Sequence, residues 1–128
     1  MTNEILLSLH PQYWELIKSG KKTIEIRKTK PRSSLPPFRI FVYVTGNIGI
    51  VGCFDCEKIV QTTPDRIAAG LFGESCLTEE QLTEYAAGKP LCGWCIKPGS
   101  VFEYESPIEL ERVTGSKTPP QSWQYLRG

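Results

Sequence analysis

The sequence predicts an α+β fold, a small β-barrel flanked by short helices. Short runs rich in Val, Ile, Phe and Tyr recur along the chain and read as strands. A few short segments instead repeat their apolar residues at helical spacing and open on proline or threonine. Turns bearing proline and glycine separate the two kinds of segment. Many strands with few short helices suit a sheet curled on itself, with the helices outside it. At 128 residues the chain is read as a single domain, residues 1–128. That length buries roughly two-thirds of the unfolded surface, enough for a core without staples.

Taken in order, Ile5 to Leu9 reads as the first strand. Pro11 suits the first turn of a helix, and Tyr13, Leu16 and Ile17 share a helical face. Gly20 ends that helix as its C-terminal cap. A strand carrying Glu25 and Arg27 follows at once. Alternation puts this charged pair, with Thr23 beside it, on one face and Ile24 and Ile26 on the other. Residues 30–37 form a basic loop stiffened by prolines, of a length that often carries function. Phe38 to Thr45 and Ile48 to Val60 are expected to pair around the turn Thr45-Gly46-Asn47. Thr63-Pro64-Asp65 starts a short helix, and Thr78 with Gln81 makes a capping box for another, whose Leu82, Tyr85 and Ala86 share a face. Leu91 to Ile96 is a strand containing glycine. Val101 to Val113 is read as strand broken at Pro107, and Thr118 to Trp123 as a turn into a last short strand.

Charge is unevenly placed. The formal net charge is only +1, yet Lys18 to Arg39 holds eight basic residues against Glu25 alone. Phe54 to Glu111 holds eleven acids against four bases. A basic stretch suits phosphate groups, because each Lys or Arg that meets one releases a counterion; a solvated mixed surface is the bland alternative. No apolar run reaches 18 residues, so no membrane span is expected. Met1-Thr2-Asn3-Glu4 lacks the pattern of a signal peptide, so the chain is expected in the cytoplasm with its five cysteines as thiols.

Cys53 and Cys56 form one CxxC pair, Cys92 and Cys95 a second. Four such thiolates could hold zinc. The first pair, however, falls in a continuous strand, where i and i+3 face opposite ways. The four therefore read as small apolar residues, with no metal and no cofactor expected. His10 is the lone histidine and defines no catalytic set, and no Walker or dinucleotide glycine loop is present.

Leu7-Ser8-Leu9-His10-Pro11 and Gly20-Lys21-Lys22-Thr23-Ile24-Glu25-Ile26-Arg27 resemble the ASCH domain, whose signature G-x-K-x-x-E-x-R is filled by Gly20, Lys22, Glu25 and Arg27. The resemblance continues at Val51 to Asp55, Gly93 to Ile96 and Pro119 to Trp123. It implies a barrel similar to the PUA domain and a cleft beside it that binds RNA or a modified nucleoside. Lys22, Glu25 and Arg27 would line that cleft, with Ser8, His10 and Trp123 as neighbours. The basic run, with Lys28, Lys30 and Arg32, would meet phosphates, and the tryptophans Trp14, Trp94 and Trp123 are weighed between stacking on bases and packing in the core.

Some relatives of this kind are small amidohydrolases that act on acetylcytidine. That comparison matches Lys22 to a catalytic lysine and Glu74 to a catalytic glutamate, but places Glu25 where the nucleophilic threonine belongs. Glu25 could act there as a general base on water, with Lys22 steadying the oxyanion. A module that binds nucleic acid or a modified nucleoside in a basic cleft is thus the first reading, with an amidohydrolase on an acylated nucleoside or a ribonuclease as alternatives. A monomer without membrane association is expected.

Overall fold

The computed structural model describes residues 3–32 and 35–126. Parts of the expected 30–37 loop and of the N-terminal tetrad (Ser33, Ser34, Met1 and Thr2) lie outside the described residues, as do Arg127 and Gly128. The chain runs β1 (Glu4–Leu9), α1 (Pro11–Lys18), β2 (Ile24–Arg27), β3 (Phe38–Val44), β4 (Gly49–Thr62), α2 (Pro64–Ala68), α3 (Glu79–Ala86), β5 (Leu91–Ile96), β6 (Phe102–Ile108), α4 (Leu110–Thr114) and β7 (Trp123–Tyr125). Seven strands form one mixed sheet in the order β2-β5-β4-β3-β1-β7, with β6 paired to β4. Among the described residues only β1 and β3 pair in parallel. The sheet curls into a half-barrel with four short helices around it.

Strand β4 makes the curl. Its first half pairs with β3 and its second half with β5, and the register shifts between Cys56 and Lys58, where the chain passes from one partner to the other. A bulge adds bend and twist, so one 14-residue strand can serve two walls. Inside the curl lies the largest apolar cluster, including Ile5, Leu7, Leu9, Phe38, Phe54 and Trp94. Ile24 and Ile26 face the other way, into a second cluster with Ile67, Leu82 and Leu91 beneath α2 and α3. The alternation expected of β2 is therefore present, although both of its faces are covered.

The expected strand from Val101 to Val113 is corrected. It ends at Ile108, and residues Leu110–Thr114 form α4. Leu110 turns inward to pack with Leu6, Tyr43, Ile50 and Leu126, and Gly115, at φ 78°, ends the helix. A five-residue helix shows too little periodicity to be told from a strand end. β6 stays extended through Ile108, but its ladder with β4 is interrupted before Pro107: Glu103 pairs with Gly52 and Ile108 with Ile50, so the residues between them stand outside the pairing.

Among the described residues no helix is long and apolar enough to cross a membrane. Trp14 and Trp94 are buried in the core, which removes both as platforms for a base.

Candidate functional site

The open side of the half-barrel falls between the two ends of the sheet, β2 on one side and β1 with β7 on the other. No backbone ladder joins β2 to β1. Side chains join them instead. Arg27 Nη2 donates to the Ser8 carbonyl at 2.7 Å, and its Nη1 donates to the carbonyl and hydroxyl of Ser122 at 3.3 and 3.2 Å. Just behind, Trp123 Nε1 donates to Thr29 Oγ1 at 2.9 Å, and Trp94 Nε1 to the Thr29 carbonyl at 3.3 Å. The arginine of the signature is thus also the clasp of the barrel seam.

A cleft of about 720 Å³ opens over this seam. Lys22, Glu25 and Arg27 stand in its lining, all three nearly closed off from solvent at 2%, 5% and 9% exposure. Glu25 sits between the two cations. Its Oε2 accepts from Arg27 Nε at 2.8 Å and lies 2.6 Å from Nη2, and its Oε1 is 3.4 Å from Lys22 Nζ. Lys22 Nζ also donates to the Ser75 carbonyl at 2.5 Å and lies 5.3 Å from the centre of the Tyr13 ring.

The chain conformation that places Lys22 is local. At the end of α1 the backbone N–H groups of Lys21 and Lys22 both return to the Leu16 carbonyl, and Gly20 takes φ 82° to allow it. Thr23 then docks on the 73–77 loop. Its N–H donates to the Glu74 carbonyl, and its hydroxyl accepts from the Glu74 N–H at 2.8 Å.

Ser8 lines the cleft, its hydroxyl donating to the Pro120 carbonyl at 2.7 Å. His10 is exposed at the rim, with Nδ1 3.2 Å from Thr45 Oγ1. Lys28 sits outside the cleft proper, its Nζ 4.8 Å from the centre of the Tyr85 ring, in a shallower hollow that shares Tyr85 and Gln81 with the cleft. Lys30 and Arg32 are exposed and outside the lining. Trp123 is half-buried behind the seam, edge-on to Trp94 and Tyr125, and does not line the cleft. Glu74 is exposed and turned into its own loop, where its carboxylate accepts from the Cys76 N–H at 2.9 Å.

Sequence reasoning missed the far walls. Tyr13 from α1, Gln81 and Tyr85 from α3, and the segment Thr118 to Ser122 complete the cleft. Tyr13 and Tyr85 were legible only as helix-face residues, with nothing local to aim them at β2. Burial, the larger effect, raises the Tyr85 hydroxyl above its ordinary pKa, while Arg27 opposes the shift; the phenol therefore stays protonated at neutral pH.

The cysteines are elsewhere. Cys56 and Cys92 belong to the barrel core and Cys95 to the cluster under α3. Burial pushes the Cys56 thiol up to about 12, and raises Cys92 and Cys95 as well, which makes all three poor nucleophiles at neutral pH. Among the described residues no three His, Cys, Asp or Glu side chains are grouped to hold a metal ion.

The ASCH domain profile matches residues 7–113. The chain belongs to the ASCH domain family. Its curated relatives include an ASCH domain-containing ribonuclease of Zymomonas mobilis, 29% identical over 126 residues, which span 97% of this chain and 84% of the relative. A crystal structure of ASCH from Zymomonas mobilis superposes with a TM-score of 0.79 at 29% identity, covering 98% of this chain and 88% of that one. A mutant form of that ASCH protein gives a TM-score of 0.80 at 28% identity, over 98% of this chain and 89% of the other.

Proposed function

We propose that this ASCH domain binds RNA, holding one nucleotide in the cleft over the barrel seam. The observation that carries the reading is the charge at the cleft floor: two buried cations, Lys22 and Arg27, share one carboxylate, Glu25. One positive charge is left without a counter-ion in a site largely shielded from water, where it is worth far more than at a surface. An anionic group of the ligand supplies that counter-ion. Around it the cleft offers apolar surface from Leu77, Pro119 and Pro120 and the rings of Tyr13 and Tyr85. Its volume is that of an ordinary small-molecule site. Rings able to stack on a base beside an anion-binding floor suit a nucleotide. Polynucleotide phosphates beyond the cleft would meet Lys28, Lys30 and Arg32, which make no ion pair among the described residues.

RNA cleavage at the same site is a second reading, favoured by the Zymomonas relative described as a ribonuclease. Lys22 would then stabilise the negative charge that develops on the phosphoryl oxygens, with His10 at the rim as a second candidate catalytic side chain. Hydrolysis of an acylated nucleoside has less support. Glu25 is held by two cations rather than free to activate water, and the Glu74 carboxylate is bound to its own loop.

The test incubates labelled single-stranded RNA with the wild-type protein and with Lys22→Met, following binding by anisotropy and cleavage on a gel. Binding that falls at least about tenfold in the variant, with the fold intact by circular dichroism, supports the reading. Equal binding by both proteins would overturn it.

A further inference from the structure

Gln81 is the third residue of α3 and closes its capping box. Its backbone N–H donates to Thr78 Oγ1 at 3.1 Å, and its side-chain Oε1 accepts from the Thr78 N–H at 2.9 Å. The same side chain stands in the wall of the cleft and in that of the adjoining hollow by Lys28.

The cap settles which way round the carboxamide sits. An amide's O and N are ordinarily interchangeable by a flip, and only the hydrogen-bond network assigns them. Here a backbone N–H must meet an acceptor, so Oε1 is committed to the helix end. What remains is Nε2, with two N–H donors and no partner among the described residues. On the cleft floor Glu25 is held by Lys22 and Arg27, Arg27 also by Ser8 and Ser122, and the Ser8 hydroxyl by Pro120, so the floor offers a surplus positive charge for an anion rather than a contact that reads a base.

We propose that Gln81 is a specificity-determining residue of this cleft, its amide offering donors only and so favouring a base whose exocyclic group is a carbonyl (uracil, guanine) over one that presents an amino group there (cytosine, adenine). The inference rests on the nucleotide reading of the cleft. Gln81 is exposed in the free protein; a base seated in the cleft would cover its amide, and donors left unpaired under that cover disfavour the wrong base. The residue holds two duties that a single substitution separates. Gln81→Glu keeps an acceptor for the Thr78 N–H, and glutamate at this third position is itself a preferred capping-box residue near a helix N-terminus. It also removes both donors. Gln81→Met removes the donors together with the side-chain half of the capping box, while the backbone N–H of residue 81 keeps its bond to Thr78 Oγ1.

The experiment measures the affinities of the four ribonucleosides and of their 5′-monophosphates by NMR titration, together with the thermal midpoint of each protein. The uncharged nucleosides are essential, because the new carboxylate would repel a phosphate whatever its role. Gln81→Glu is expected to melt at or above the wild-type midpoint, and to bind the preferred nucleoside and its monophosphate both about tenfold or more weakly. Gln81→Met should melt lower and lose the same preference. Unchanged nucleoside affinity in Gln81→Glu, or a loss confined to the monophosphates, overturns the role of Gln81 while leaving the nucleotide reading standing. No binding of any of these ligands to the wild-type protein overturns both.

Discussion

Glu25 holds the site together more than either cation does. Removing Lys22 leaves a paired Glu25 and Arg27, and removing Arg27 leaves Glu25 with Lys22 at 3.4 Å. Removing Glu25 leaves two buried cations with no anion between them. Breaking a buried pair costs about 3–5 kcal/mol, much of it from the charge left behind. Glu25→Gln is therefore expected to fall at the upper end of that range, and Lys22→Met below it. The double variant Glu25→Gln/Lys22→Met removes one cation together with the anion, and should be more stable than the two single effects added. Urea denaturation of the four proteins gives the coupling directly. Additive losses would mean that Lys22 and Glu25 do not sense one another and that the 3.4 Å pair is incidental.

At the scale of elements, two glycines separate crowding by backbone from crowding by side chain. A Cβ on Gly52 in β4 would press on the Phe102 carbonyl of β6, stand 3.0 Å from Trp14 Cζ2 and 3.1 Å from Glu103 Cα. A Cβ on Gly93 in β5 would meet the tip of Ile24 at 2.6 Å and Val60 Cγ2 at 3.2 Å, both ends of side chains. Gly52→Ala must push β6 off β4, and should cost about 1–3 kcal/mol or more, whereas Gly93→Ala asks only for new rotamers and should cost less. Chemical denaturation checks the order, and a larger loss from Gly93→Ala would contradict it.

These same elements show why parts of the fold were legible and others were not. The faces of β2, the capping box at Thr78 and the C-cap at Gly20 are local, and neighbouring residues specify them. The helix α4 was not legible, because its one inward residue, Leu110, gains its partners from β1, β3 and β4. Within the cleft, Lys22, Glu25 and Arg27 share one short segment and could be grouped by alternation. Gln81 and Tyr85 could not be joined to them, since α3 reaches β2 only through the curl of the sheet. The closure of the seam by Arg27 was hidden for the same reason: its partners, Ser8 and Ser122, lie 19 and 95 positions away.

For the whole molecule, folding spends much of the basic stretch that dominates the sequence. Lys18 pairs with Glu15 and with Glu103 of the acidic half, and Arg39 with Asp55. Lys22 and Arg27 are taken by Glu25. Lys21, Lys28, Lys30 and Arg32 are exposed and make no ion pair among the described residues. The last three lie along the chain just after β2, next to the cleft strand. This division separates phosphates met at the surface from a nucleotide met in the cleft. Surface contacts act by counterion release, with a slope of roughly 0.7 per neutralised charge on a single strand, while contacts inside a closed site fix identity. Replacing Lys28, Lys30 and Arg32 together by alanine should weaken binding of all RNA sequences alike and flatten the salt dependence by up to about 2 log units of affinity per log unit of salt. Gln81→Met, which adds no charge, should instead change the ranking of two RNAs that differ in sequence, with a salt slope close to that of the wild-type protein. Salt titrations of both variants on both RNAs decide the matter. If the triple alanine variant changed the ranking, or both variants flattened the slope equally, surface and cleft would form one undivided phosphate-binding face rather than two sites with separate duties.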